Sequence, residues 1–174
     1  MTGTVKLIFD ECLSQLMMAD LRKFLERSGC ELTLQAVVDY QRAGVLDRDW
    51  VPRVAAEGQW IVISTDKGRS GNEPFEERLP FLCRLHRVTH VLLSPKVHKL
   101  KGFAKGQAIV DVWPEFATVR DATPGTRFVI QFNHTRTRFL LINSDCRQAD
   151  QAKRRRERAR KSGETGVAPP SHIR

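Results

Sequence analysis

Two apolar runs in this chain end in carboxylates. Val5-Lys6-Leu7-Ile8-Phe9 stops at Asp10-Glu11, and Trp60-Ile61-Val62-Ile63-Ser64-Thr65 stops at Asp66. A third acid, Asp47, stands ahead of an amphipathic stretch that leads into the second run. Acids brought to one edge, with no basic residue dedicated to each, raise one another's pKa or recruit a divalent ion. Carboxylate oxygens suit Mg2+ or Mn2+ better than zinc. With a phosphate ester as substrate, such ions activate the attacking water and steady the leaving oxygen. Asp10, Asp47 and Asp66 are therefore the candidate metal ligands and catalytic acids, with Glu11 as a further ligand or an orienter. Thr65 (or Ser64), Lys67 and Arg69 adjoin Asp66 and are candidates for contacts with a substrate phosphate. An Asp after a strand is also an ordinary turn starter, so the pattern alone leaves both readings open.

The elements that must position these residues are readable in outline. Val5–Phe9 reads as a buried strand. Leu13, Leu16, Met17, Leu21, Phe24 and Leu25 recur at helical spacing up to Ser28-Gly29, a helix with a glycine C-cap. Cys30–Leu34 alternates as a second strand, giving the β-α-β opening of a parallel sheet. Residues 36–46 predict a short helix and then a loop at Gly44. Pro52 constrains the next helix: with Asp49 as N-cap, the proline falls at the third helical position, where no intrahelical donor is needed, and Asp47 lies just outside. Trp60–Thr65 is the clearest strand and 67–72 a loop. Phe75–Leu85 is helical around Pro80, and Thr89–Ser94 is a third apolar strand. Ile109, Val112, Trp113, Phe116 and Val119 form a helical stripe that Pro114 kinks or restarts. Phe128–Phe132 and Arg138–Ile142 read as two strands joined by a polar turn, a hairpin at a sheet edge. In such open sheets functional groups gather beyond the carboxyl ends of the strands, which is where the acids stand.

Composition narrows the class. The chain has 174 residues, 41% of them hydrophobic and 28% charged, suited to one globular domain. The formal net charge is +9, and it is unevenly spread. Residues 1–146 hold 20 basic and 17 acidic side chains, whereas residues 147–174 hold 9 and 3. The expected organisation is a domain over 4–146 and a basic, flexible tail over 147–174, a solvated helix or coil passing into disorder. No apolar run approaches a membrane span and no secretory signal opens the chain, so a cytoplasmic location is expected. The four cysteines, Cys12, Cys30, Cys83 and Cys146, form no CxxC pair and read as reduced thiols. His86 and His90 are four apart, but the second falls in a strand and no third ligand accompanies them, which disfavours zinc. Trp50, Trp60 and Trp113 sit on apolar faces suited to packing. His98 with Lys96, Lys99, Lys101 and Lys105 forms a basic stretch able to track a phosphate backbone. No glycine-rich phosphate loop occurs.

In order and spacing, the series Leu7–Glu11, Gly44…Asp47-Arg48-Asp49-Trp50 and Glu57–Lys67 resembles the PIN-like nucleases, in particular the bacterial group that includes toxins of toxin–antitoxin pairs. The resemblance covers residues 5–95 well and continues loosely to about 145. It implies a three-layer α/β/α sandwich with a mostly parallel sheet, and a Mg2+- or Mn2+-dependent acidic centre at Asp10, Asp47 and Asp66. It also implies endoribonuclease activity leaving a 5′-phosphate and a 3′-hydroxyl, an antitoxin partner and a homodimer. A fourth acid common in that family has no clear counterpart here. Two other functions remain open for the same residues: a non-catalytic nucleic-acid or partner-binding module, and a small phosphatase or nucleotide hydrolase. If the tail adds electrostatic affinity, deleting residues 150–174 weakens RNA binding and flattens its salt dependence while cleavage survives. A filter-binding salt titration of both forms checks this, and an unchanged slope rejects it.

Overall fold

The computed structural model describes residues 4–11, 13–27, 32–40, 44–68, 74–120, 122–133 and 136–142. Six strands form one sheet in the order β2-β1-β3-β4-β5-β6. They are β1 (Val5–Phe9), β2 (Leu32–Ala36), β3 (Trp60–Ser64), β4 (Thr89–Leu93), β5 (Arg127–Asn133) and β6 (Arg136–Leu141). The first five are mutually parallel and β6 returns antiparallel to β5. This is the mostly parallel α/β architecture expected, with helices against both faces. β3 and β4 are buried at all positions, as central parallel strands must be when both faces are covered.

Alternation along the strands divides the core in two. On one face Leu7, Phe9, Ile61, Ile63, Val91, Leu93, Phe128 and Ile130 pack with α1 (Gln15–Arg27), α5 (Pro95–His98), α6 (Gly102–Asp111) and α7 (Trp113–Arg120). On the other, Ile8, Trp60 and Val62 pack under α3 (Asp47–Glu57) and α4 (Leu79–Leu85) through Trp50, Val51, Val54, Leu82 and Cys83. Val37, from the short α2 (Val37–Tyr40), joins this second cluster. Trp50 and Trp60 are core residues, and Trp113 stacks on Phe116 with ring centres 5.2 Å apart.

Several boundaries differ from the sequence-based expectation for physical reasons. α3 begins at Asp47, with Leu46 rather than Asp49 as its N-cap. Pro52 therefore lies in the second turn, where it removes one backbone donor. The start is set by burial, because Trp50, Val51 and Val54 must reach the sheet. Pro114 does restart the helix, standing at the second position of α7 after α6 closes at Asp111. Pro80 likewise takes the second position of α4, after a separate 3-10 turn at Phe75–Glu77. The hairpin forms at the sheet edge, but β6 starts two residues earlier than expected. Glu57 accepts hydrogen bonds from the Tyr40 hydroxyl and from Trp60 Nε1, the latter at 2.8 Å, and both hold its carboxyl below the usual range. Cys83 is a buried free thiol, while the other three cysteines lie outside the described residues. The expected domain boundary at 146/147 and the basic tail lie outside them too. No helix among the described residues is long and apolar enough to cross a membrane.

Phe9 is fully buried between β1 and α1 whereas Leu141 is 54% exposed. Phe9→Ala is expected to lower the unfolding free energy by about 3–5 kcal/mol, and Leu141→Ala by no more than about 0.5 kcal/mol, both measured by urea denaturation.

Candidate functional site

Asp10 still belongs to the sheet: its N–H donates to the Ile63 carbonyl at 3.0 Å. Its carboxylate accepts the N–H of Glu11 at 2.8 Å and its carbonyl accepts that of Leu13 at 3.0 Å, turning the chain toward α1. Glu11 reaches elsewhere. Its Oε1 accepts the N–H of Gly44 at 2.8 Å, and Gly44 has φ 76°, a backbone conformation that side chains resist. Glu11 thus fastens the loop before α3 to the end of β1, and Asp47 follows three residues later. Asp47 opens α3, where its charge complements the helix dipole, and its Oδ1 accepts Trp50 Nε1–H at 3.0 Å. Because Trp50 is fully buried under the sheet, it fixes the carboxylate it touches.

The turn after β3 is held from three sides. Ser64 Oγ accepts the Asp66 N–H at 3.1 Å, and Asp66 Oδ1 accepts the Gly68 N–H at 2.7 Å. Gly68 has φ 69°, and a Cβ there would stand 3.0 Å from Pro80 Cγ. Arg78 Nη1 donates to the Gly68 carbonyl at 2.7 Å, and Arg127 Nη2 reaches the Asp66 carbonyl at 3.4 Å. Beneath the turn, Ser64 Oγ and His90 Nε2 are 2.8 Å apart, both side chains buried. Ser64 is thus turned inward, under the turn that carries Asp66. Thr65 and Lys67 are half-buried in the turn, and Arg69 lies outside the described residues.

β1 and β3 are adjacent parallel strands, so Asp10 and Asp66 follow neighbouring carboxyl ends. Burial pushes the Cys83 thiol pKa up, and Asp47 pushes it further; Arg127 pulls it back, and Asp10 and Asp66 push it up again. Asp47 reaches this edge because Glu11 ties the loop before α3 to the end of β1, and Arg127 Nη2 meets the Asp66 carbonyl there at 3.4 Å. Glu11 is directed to Gly44 instead. The donor chemistry is that of a site for a hard cation, but the placement is not: among the described residues no group of three His, Cys, Asp or Glu side chains could hold a metal ion.

Arg78, Arg127 and His90 escaped the sequence reading as parts of this edge. Arg127 is 61 residues from Asp66, and nothing local marks the link. The available signal was His90, a polar side chain in a strand that is otherwise apolar or β-branched. Residues 5–76 match the family model of the PIN like domain, a segment running from β1 past β3 that contains all three acids. No curated protein matches the chain in sequence.

Burial, and then Arg127, holds the His90 pKa well below its ordinary 6.5. The folded chain therefore resists a proton that the unfolded chain accepts, so stability falls as pH drops below 6.5, by at most about 1.4 kcal/mol per pH unit. Urea unfolding at pH 7 and pH 5 is expected to show this fall, and His90→Asn to flatten it. Equal pH dependence in both proteins rejects the assignment.

Proposed function

We propose that the chain is an endoribonuclease that hydrolyses RNA phosphodiester bonds at the carboxyl edge of its sheet, with Asp10, Asp47 and Asp66 as its acidic centre. The observation that supports this reading is the pairing of β1 with β3, after which Asp10 and Asp66 leave neighbouring carboxyl ends, with the loop that carries Asp47 tied to β1 through Glu11 and Gly44. The PIN like segment supports it, because it spans those acids. In the hydrolytic step a carboxylate at this edge takes a proton from the attacking water. Water oxygen bonds to phosphorus, the bond to the 3′ oxygen breaks, and the proton ends on that oxygen. The products are a 5′-phosphate and a 3′-hydroxyl. Arg127, held at the Asp66 carbonyl, lends positive charge beside the acids as negative charge builds on the phosphate.

Mg2+ or Mn2+ is the proposed cofactor on donor chemistry alone. As placed, the carboxylates do not form an ion's coordination shell. That same observation favours a second reading, a nucleic-acid-binding module that keeps the fold without cleaving. A role as the toxin of a toxin–antitoxin pair extends the first reading: induced expression would arrest growth, and a partner protein would relieve it.

End-labelled RNA incubated with the full chain in Mg2+, in Mn2+ and in EDTA separates these readings. Cleavage is expected with either ion and not in EDTA. Asp10→Asn, Asp47→Asn and Asp66→Asn are each expected to slow it about 100-fold or more. RNA that is bound but uncut under all conditions supports the binding module, and cleavage surviving all three substitutions rejects the acidic centre.

A further inference from the structure

On the face of the sheet that carries the acids, Leu92 and Val129 are buried, whereas Gln131 of β5 and Arg136, Arg138 and Leu140 of β6 are exposed. Register defines that face strand by strand. Ile8 pairs with Val62, Val62 with His90, and His90 with Arg127; Ser64 pairs with Leu92, Leu92 with Val129, and Val129 with Leu140. Two residues further along, beside the Asp66 turn, Gln131 pairs with Arg138, and beyond them Asn133 pairs with Arg136. Arg136, Arg138 and Leu140 of β6 therefore stand on the same face as Ser64, and the arginines lie toward the same edge as Asp66. The helices that pack on β5 do so from the other face, where Val97 and Ile109 share a core with Phe128 and Ile130.

This exposed end has a definite charge. Gln131, Arg136 and Arg138 are exposed, and neither β5 nor β6 contains an acidic residue. Arg136 and Arg138 make no ion pair among the described residues. On the opposite side of β6, Thr137 Oγ1 donates to Asp111 Oδ2 at 3.0 Å. Two exposed arginines one strand-repeat apart, with an amide opposite the inner one, offer fork-shaped donors suited to phosphate oxygens. β6 lies three strand spacings from β3, about 14 Å, a short span along a nucleic-acid chain. Nothing in the packing of the hairpin calls for arginine on that face, because its apolar face is already closed by Phe128, Phe139 and Phe116.

We infer that the exposed outer end of β5 and β6 binds the sugar–phosphate backbone of single-stranded RNA, with Arg136 and Arg138 contacting phosphates and leading the strand toward the acids. The inference rests on the proposed function for the identity of the polyanion, but not for any cleavage step. Contacts of this kind anchor and orient a strand without reading its bases.

The test uses the full chain, a fluorescent single-stranded RNA and EDTA, so that binding is measured apart from cleavage. Arg136→Ala with Arg138→Ala is expected to weaken binding roughly tenfold at low salt and to reduce the log–log salt slope by about 1.4, the value for two phosphates on a single strand. Arg136→Lys with Arg138→Lys is expected to restore most of the affinity. In a second arm, 4-thiouridine RNA is expected to cross-link to peptides within 127–141. Unchanged affinity and slope in the alanine variant, or cross-links confined to residues 143–174, overturn the inference. So does a changed self-association in the alanine variant with RNA binding intact, which would make the face a contact between copies. An RNA that binds through these arginines but is never cut leaves the inference standing and defeats the nuclease reading; cleavage that needs the acids but ignores the arginines does the reverse.

Discussion

Like charges at one edge of a sheet repel, and the fold around β1 and β3 is arranged to hold three of them in place. Asp10 is kept in the β-ladder by its bond to Ile63, and Asp47 is held by the indole of the buried Trp50. Asp66 is pinned through its own backbone, by Ser64 below and Arg127 from β5. Each grip comes from a different element, so no short piece of the chain could reproduce the arrangement. Arg127 also brings positive charge to this edge, its Nη2 reaching the Asp66 carbonyl at 3.4 Å. An acidic cluster with one arginine inside it is less costly to fold than a bare one.

Burial makes these contacts matter more. Ser64, His90 and Arg78 are almost entirely removed from water, where an unmet polar group costs about 1–3 kcal/mol. The Ser64–Gly68 turn is held by His90 of β4, by Arg127 of β5 and, from the start of α4 itself, by Arg78. Together they fix the backbone of the turn that carries Asp66. Glu11 belongs to the same logic. Its bond to Gly44 closes the loop that carries Asp47 toward β1.

Much of this was legible in the sequence, and the limits have physical causes. Apolar runs marked β1, β3 and β4, and the ends of β1 and β3 located Asp10 and Asp66, because parallel topology puts successive strand ends on one edge. Asp47 was found for the same reason, although its helix begins earlier than its proline suggested: burial of Trp50, Val51 and Val54 outweighed one backbone hydrogen bond. The bond from Glu11 to the Gly44 N–H, 33 residues away, leaves no periodic trace in the sequence. Arg127 and Arg78 were hidden because strand register, not spacing, brings them to the turn. The two-sidedness of β5 and β6 also depends on register, so the arginine strip emerges only with pairing in hand. The overall charge of +9 thus conceals local order in which acids at β1 and β3 share one face with cations at β5 and β6.

The central claim is that Asp10, Asp47 and Asp66 act as one site. Paramagnetic broadening by Mn2+ in 15N NMR spectra of the full chain, with uncleavable RNA bound, tests it most directly. The account predicts that signals around Asp10, Asp47 and Asp66 broaden together at the lowest Mn2+ concentrations, and that Asp66→Asn relieves all three at once. Broadening confined to scattered surface carboxylates such as Asp20, Asp39 and Glu115, or broadening at Asp10 that is indifferent to Asp66→Asn, would contradict it.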